Sequence, residues 1–219
     1  METLQRICKM KKLEEYDWLC PQPFTNWYSS ILGGTQPCCV IQNWYTSNKK
    51  IRGTGTVSLE EDYNSSLNRS FRNEFLNGAG PIIEDCCRRC VKNEKHGKTS
   101  HRLSYLNEYL TGSLKHRKEE LETYLETDRL QPLIMTMEYK VKDNYCNLKC
   151  NMCRSINSST LAHENVELEK QGHILTSTHR LPRPFNGKFH YKRKESFKDL
   201  DNVLKTLSIL ELVGGETLA

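Results

Sequence analysis

The stretch "PLIMTMEYKVKDNYCNLKCNMCRS", Pro132 to Ser155, joins a strand-like run to three cysteines. "PLIMTMEYKV" reads as a β-strand that ends just before Cys146, Cys150 and Cys153, spaced C-x3-C-x2-C. A loop that follows a strand is where α/β folds place their active sites. A structural zinc ion takes a closed set of four ligands, and no cysteine follows Cys153. Zinc would need a distant fourth ligand such as His163, His173 or His179. Iron–sulfur clusters are held by thiolates. Three thiolates on a four-iron cluster leave one iron open to a small molecule.

Downstream, Ser196 and Asp199 are expected to cap a short helix carrying Phe197, Leu200, Val203 and Leu207. "LSILELV" then reads as a strand running into Gly214, Gly215 and Glu216. Strand, cysteine loop, helical crossover, strand and glycine loop form the start of an α/β fold with parallel strands. The long connection 154–195 contains the basic segment "RLPRPFNGKFHYKRK", read as a solvated insertion rather than a nucleic-acid grip.

Upstream, "FTNWYSSILGGTQPCCVI" places strand-like runs on both sides of Gly33-Gly34, which predicts a hairpin. Ser58 and Glu61 form a capping box. Leu59, Tyr63, Leu67, Phe71 and Phe75 then recur every four residues, with Gly78 as the stop, so a helix is expected over 59–77. "DCCRRC" follows. Residues 100–127 are expected to be helical, with Leu103, Leu106, Leu110, Leu114, Leu121 and Leu125 on one stripe.

The 219 residues are 37% hydrophobic and 27% charged, the balance of a soluble globular chain. A net charge of +5 does not by itself argue for nucleic acid. No apolar run approaches the roughly 20 residues of a membrane span. The opening "METLQRICKMKKLEEYDWLC" has no apolar core of a signal peptide, so a cytoplasmic location is expected. In a reducing compartment, ten grouped cysteines are better explained by metal than by disulfides.

The cysteine loop resembles that of the radical S-adenosylmethionine (SAM) superfamily, whose C-x3-C-x2-C follows the first barrel strand. The resemblance implies that Cys146, Cys150 and Cys153 hold a catalytic 4Fe–4S cluster, with Met152 beside the adenine. SAM would chelate the open iron and yield a 5′-deoxyadenosyl radical on reduction. "GGE" at Gly214, Gly215 and Glu216 is similar to the family's second signature and implies contact with the methionyl amino group. Two glycines permit close backbone approach, and a carboxylate balances an ammonium.

"CPQPFTNWYSSILGGTQPCC" with the later "CCRRC" resembles the SPASM/twitch auxiliary-cluster modules. That likeness implies a second 4Fe–4S cluster on Cys20, Cys38, Cys87 and Cys90, with Cys39 and Cys86 as alternatives to Cys38 and Cys87. Four protein thiolates close such a cluster, which suits electron transfer or structure.

The expected fold class is therefore α/β: the first two βα units of a partial (βα)6 radical SAM barrel, behind a small α+β twitch-like domain. The expected divisions are 1–98 for the cysteine-rich module, 99–131 for a helical linker and 132–219 for the barrel portion. The expected partners are a flavodoxin- or ferredoxin-type electron donor and the remaining barrel strands as a separate chain, without which the chain is expected to be inactive. Superfamily members with auxiliary clusters often modify peptides or carbohydrates. The alternative is a zinc-binding interaction module that uses the same cysteines to grip nucleic acid or protein.

Overall fold

The computed structural model describes residues 11–29, 35–42, 56–127, 129–139, 158–173, 196–197 and 200–212. Cys8, the three-cysteine loop with Met152, His179, the whole basic segment, Asp199 and the segment from Gly214 to Glu216 lie outside them. Among the described residues, no helix is long and apolar enough to cross a membrane.

After a short 3-10 turn at Leu13–Glu15, Pro21 and Pro23 lead into one helical turn, α1 (Gln22–Thr25). The chain continues into β1 (Asn26–Ser29), which pairs antiparallel with β2 (Thr35–Gln36), the hairpin expected around Gly33-Gly34. A two-residue strand, β3 (Thr56–Val57), precedes the helical segment.

The helix expected over 59–77 is two helices, α2 (Leu59–Tyr63) and α3 (Ser66–Asn77). Ser58 caps the first by accepting from Glu61 N at 3.2 Å. At Asn64 the chain leaves the helix and Ser65 caps a new one, accepting from Asn68 N at 3.4 Å. The break frees the Tyr63 carbonyl, a helix-end acceptor that must find a partner. Buried Arg72 supplies it, donating to Tyr63 O at 2.7 Å with its guanidinium 3.7 Å from the Tyr63 ring centroid. Gly78, at φ +101°, ends α3 in backbone space that favours glycine.

Two short helices follow, α4 (Pro81–Cys86) and α5 (Arg88–Lys95), with Cys87 at their junction. The stripe expected over 100–127 is also interrupted. α6 (His101–Leu110) and α7 (Lys118–Leu125) are separated by a turn at Gly112 and a 3-10 turn at Lys115–Arg117. Leu103 of that stripe is exposed, whereas Tyr109, Leu114, Leu121 and Leu125 are buried. They pack in one core with Leu13, Phe24, Phe71 and Phe75. The segment expected to be a linker is thus an integral layer of the front module. Phe71 and Phe75 meet edge to face, with centroids 4.9 Å apart at 77°. Burying each ring is worth roughly 2–3 kcal/mol, and the pair geometry adds about 1 kcal/mol.

β4 (Thr136–Tyr139) pairs in parallel with β1, and β6 (Ile209–Leu212) pairs in parallel with β4, giving the order β2-β1-β4-β6. Between them lie α8 (Ser159–Lys170), capped by Ser158, then β5 (Ser196–Phe197) and α9 (Leu200–Leu204). Phe197 stands in β5, paired with β3, rather than in the helix expected for it. The sheet crosses the expected division at 99–131, because Asn26 to Ser29 register with Thr136 to Tyr139.

The period-2 alternation of strands gives the sheet two unlike faces. Trp27 and Met137 join Leu59, Tyr63, Ile134 and Val203 in a second core on one face. The other carries Asn26, Thr136, Glu138, Ile209 and Glu211 by register.

Candidate functional site: a cysteine-lined cleft

Of the residues singled out from the sequence, Cys20, Cys38, Cys87 and Cys90 all fall within the described structure. All four line one cleft with an empty volume of ≈ 430 Å³. Its remaining wall includes Trp18, Ile41, Phe71 and Phe75, so the thiols face a largely apolar interior.

Each cysteine arrives on a different local device. Cys20 sits just before α1, where the preceding carbonyl of Leu19 accepts from Arg102 Nη1 at 2.9 Å. Cys38 follows β2. Its neighbour Pro37 is held by Asn26 Nδ2 at 3.1 Å, and its own carbonyl accepts from Ile41 N at 3.3 Å. Gln42 N donates to Cys86 O at 2.8 Å, tying this loop to the end of α4. Cys87 and Cys90 stand three residues apart at the start of α5, a spacing that puts both on one helix side.

The carboxylate of Glu74 fixes α4. Its two oxygens accept from Ile82 N at 3.1 Å and Ile83 N at 2.8 Å, capping two N–H groups that have no partner within the helix. Gly80 allows this approach, since a Cβ there would meet the Glu74 carboxyl carbon at 2.5 Å.

The electrostatics separate the neighbours in the two cysteine pairs. Burial pushes the Cys20 thiol up to about 12, and the neighbouring Cys90 adds to the rise. Burial also raises Cys87, followed by the charges of Cys20 and Cys90. Cys38 is raised first by its hydrogen bond with Cys39, then by burial and by Cys20. Cys20 thus acts on both Cys38 and Cys87, and Cys86 also raises Cys87. Cys39 differs: its hydrogen bond with Cys38 lowers it, and the acid it senses is Glu138. Cys86 borders the cleft but is raised to about 11 by burial and then by Asp85 and Glu74, with no cysteine acting on it.

Thiols raised in this way stay protonated and unreactive at neutral pH. A bound cation inverts that preference and draws off the proton. Among the described residues, no three or more His, Cys, Asp or Glu side chains are grouped as ligands of a metal ion. His163 and His173, considered as distant zinc ligands, are exposed.

Sequence reading missed Arg102 and Glu74, because neither lies near a cysteine in the chain. Arg102 is buried, donates from Nε to Glu94 Oε1 at 3.0 Å and lies against Trp18. Its one sequence signal is a basic residue two positions after the cap Ser100 of α6.

No family model, no curated protein and no solved structure matches the chain.

Proposed function

We propose that the chain is part of a radical SAM enzyme whose front module carries an auxiliary 4Fe–4S cluster on Cys20, Cys38, Cys87 and Cys90. The observation that supports the reading is that these four thiols, drawn from three separate segments, line a single largely apolar cleft. Their chemistry suits the group: four soft donors, Cys20 and Cys90 buried and Cys38 and Cys87 half-buried, with no carboxylate in the cleft lining. The catalytic cluster, when bound by Cys146, Cys150 and Cys153, supplies the electron that cleaves the SAM sulfonium.

The chain's own residues then have defined parts. The four thiols surrender their protons on loading, Arg102 places a positive charge beside Cys20, and Glu74 holds the turn that presents Cys87. Gly214, Gly215 and Glu216 would orient SAM, and a flavodoxin or ferredoxin would deliver the electron.

The test is iron and sulfide content after anaerobic purification and reconstitution. The native chain is expected to hold about eight irons as two four-iron clusters. Cys146→Ala/Cys150→Ala/Cys153→Ala and Cys20→Ala/Cys87→Ala variants are each expected to hold about four. Stoichiometric zinc without sulfide in all three proteins would overturn the reading in favour of a zinc module.

A further inference from the structure

A second cleft, with an empty volume of ≈ 640 Å³, opens on the polar face of the sheet. Glu138 of β4 and Glu211 of β6 line it at directly opposed positions on neighbouring parallel strands. Adjacent strands lie about 4.8 Å apart, so the sheet holds the two carboxyl groups side by side. Like charges directly opposite one another destabilise a sheet.

Glu138 is the more telling of the pair. It is 9% exposed, and its Oε1 is buried without a hydrogen-bond partner. A buried carboxyl oxygen left unsatisfied is costly. Burial, and then Glu211, raise the Glu138 carboxyl. The rest of the cleft is equipped to bind rather than to pack. Thr136 donates to Asn26 and Tyr105 bonds Glu138, which fixes the neutral polar wall in place, and Leu114 and Ile209 provide apolar wall. Glu108 is already engaged, accepting from Ser113 N and Oγ, both at 2.9 Å. The Glu138 carboxyl already accepts from Cys39 and Tyr105, so its Oε1 and the Glu211 carboxyl remain, too few oxygens for a hard divalent ion, which takes six or more. They match the fork of a guanidinium or the donors of an ammonium.

We propose that the cleft between Glu138 and Glu211 is a binding site for an organic cation, a guanidinium or primary ammonium on an aliphatic stem. The cation supplies the missing donor to Glu138 Oε1 and removes the repulsion between the two acids, while Leu114 and Ile209 cover the stem. Tyr105 lines both this cleft and the cysteine-lined one, so the bound group lies one side chain away from the thiols. The site stands on the sheet alone and does not require either cluster.

The experiment is calorimetric titration of the full, reconstituted chain with agmatine and with n-butylamine, using n-butanol as the neutral control. The native chain is expected to bind both amines and not the alcohol. Glu138→Gln and Glu211→Gln are each expected to weaken binding tenfold or more, at unchanged iron and sulfide content. Glu211 is exposed on the edge strand, so its variant remains informative even if the buried substitution disturbs folding. Equal affinity in the native chain and the Glu211→Gln variant would overturn the site, as would the absence of amine binding at millimolar concentration. Displacement of agmatine by equimolar magnesium would overturn the organic class of the ligand. Because iron and sulfide are measured in the same samples, loss of this site and loss of the cluster reading are told apart.

Discussion

The guanidinium carbon of Arg102 lies 4.3 Å from the centroid of the Trp18 ring, so one buried cation joins α6 to the wall of the cysteine cleft. The same side chain pairs with Glu94 of α5 and donates to Leu19 O, next to Cys20. Arg102 thus ties Cys90's helix to Cys20's segment.

Replacing Arg102 with Ala leaves Glu94 without its partner and Leu19 O without its donor. Breaking a buried pair from one side costs about 3–5 kcal/mol, and chemical denaturation is expected to show a loss of that order. Arg102→Lys keeps the charge but not the planar fork, and should fall between the two. With the proposed cluster bound, removal of this positive charge is expected to lower the midpoint potential, which redox titration would read directly.

Glu74 acts on the site by holding the backbone of α4 and by its charge, which raises Cys86 and Cys87. Glu74→Ala removes both acceptors at the start of α4 and should cost about 1–2 kcal/mol, the range of lost helix caps. Reconstituted iron should fall with it, because the turn that presents Cys87 loosens. Glu74→Gln keeps one acceptor oxygen and is expected to retain most of the iron. Equal iron in the native chain and the Ala variant would show that α4 is held by other means.

Alkaline pH distinguishes the metal-free chain from the loaded one. The Cys20 thiol rises from an ordinary 9.0 to about 12 in the fold. Above pH 9 the unfolded chain gives up that proton while the folded chain keeps it. The unfolded state then binds fewer protons, and stability falls as pH rises. The loss runs from about pH 9 to about pH 12, and Cys86, raised to about 11, adds to it between pH 9 and 11. Urea denaturation across this range should therefore show a steeper decline for the metal-free chain than for Cys20→Ser. In the loaded protein the thiolates are already formed, and the Cys20 part of the slope disappears.

The outer strand of the sheet offers a different test. All four residues of β6 are exposed, with Ile209, Leu210 and Leu212 at 38, 49 and 43%. Open apolar strand edges template pairing with other chains. Leu210→Lys is expected to reduce concentration-dependent association of the chain in analytical ultracentrifugation without altering its helix content.

Local signals in the sequence were readable where they act locally. Ser58 and Gly78 bound the helical segment as their chemistry dictates, and the hairpin follows the Gly33-Gly34 turn signal. The break at Asn64 escaped because Tyr63, Phe71 and Phe75 keep facing the core across it, so the apolar spacing never falters. Gly112 interrupts the leucine stripe for a similar reason: Leu114 and Leu121 remain buried on both sides of the turn. The pairing of β1 with β4 has no local signal at all. At the site, cysteine spacing pointed to Cys20, Cys38, Cys87 and Cys90, and all four line the cleft, with Cys86 beside them. Arg102, Glu74 and Glu138 act across the tertiary structure, and a linear pattern carries no trace of that.

The union of β1 with β4 also sets a timetable for biosynthesis. Asn26 accepts from Thr136 at 2.7 Å across a separation of 110 residues. At translation rates of 5–20 residues per second, that partner emerges about 5–20 s later. Cys20, Cys38, Cys87 and Cys90 all leave the ribosome before the sheet can close over them. The nascent chain therefore passes through a stage in which the thiols are already accessible while the strand beside them has only β2 for a neighbour. Such high contact order slows folding, and it lengthens the interval in which those thiols stay open to solvent.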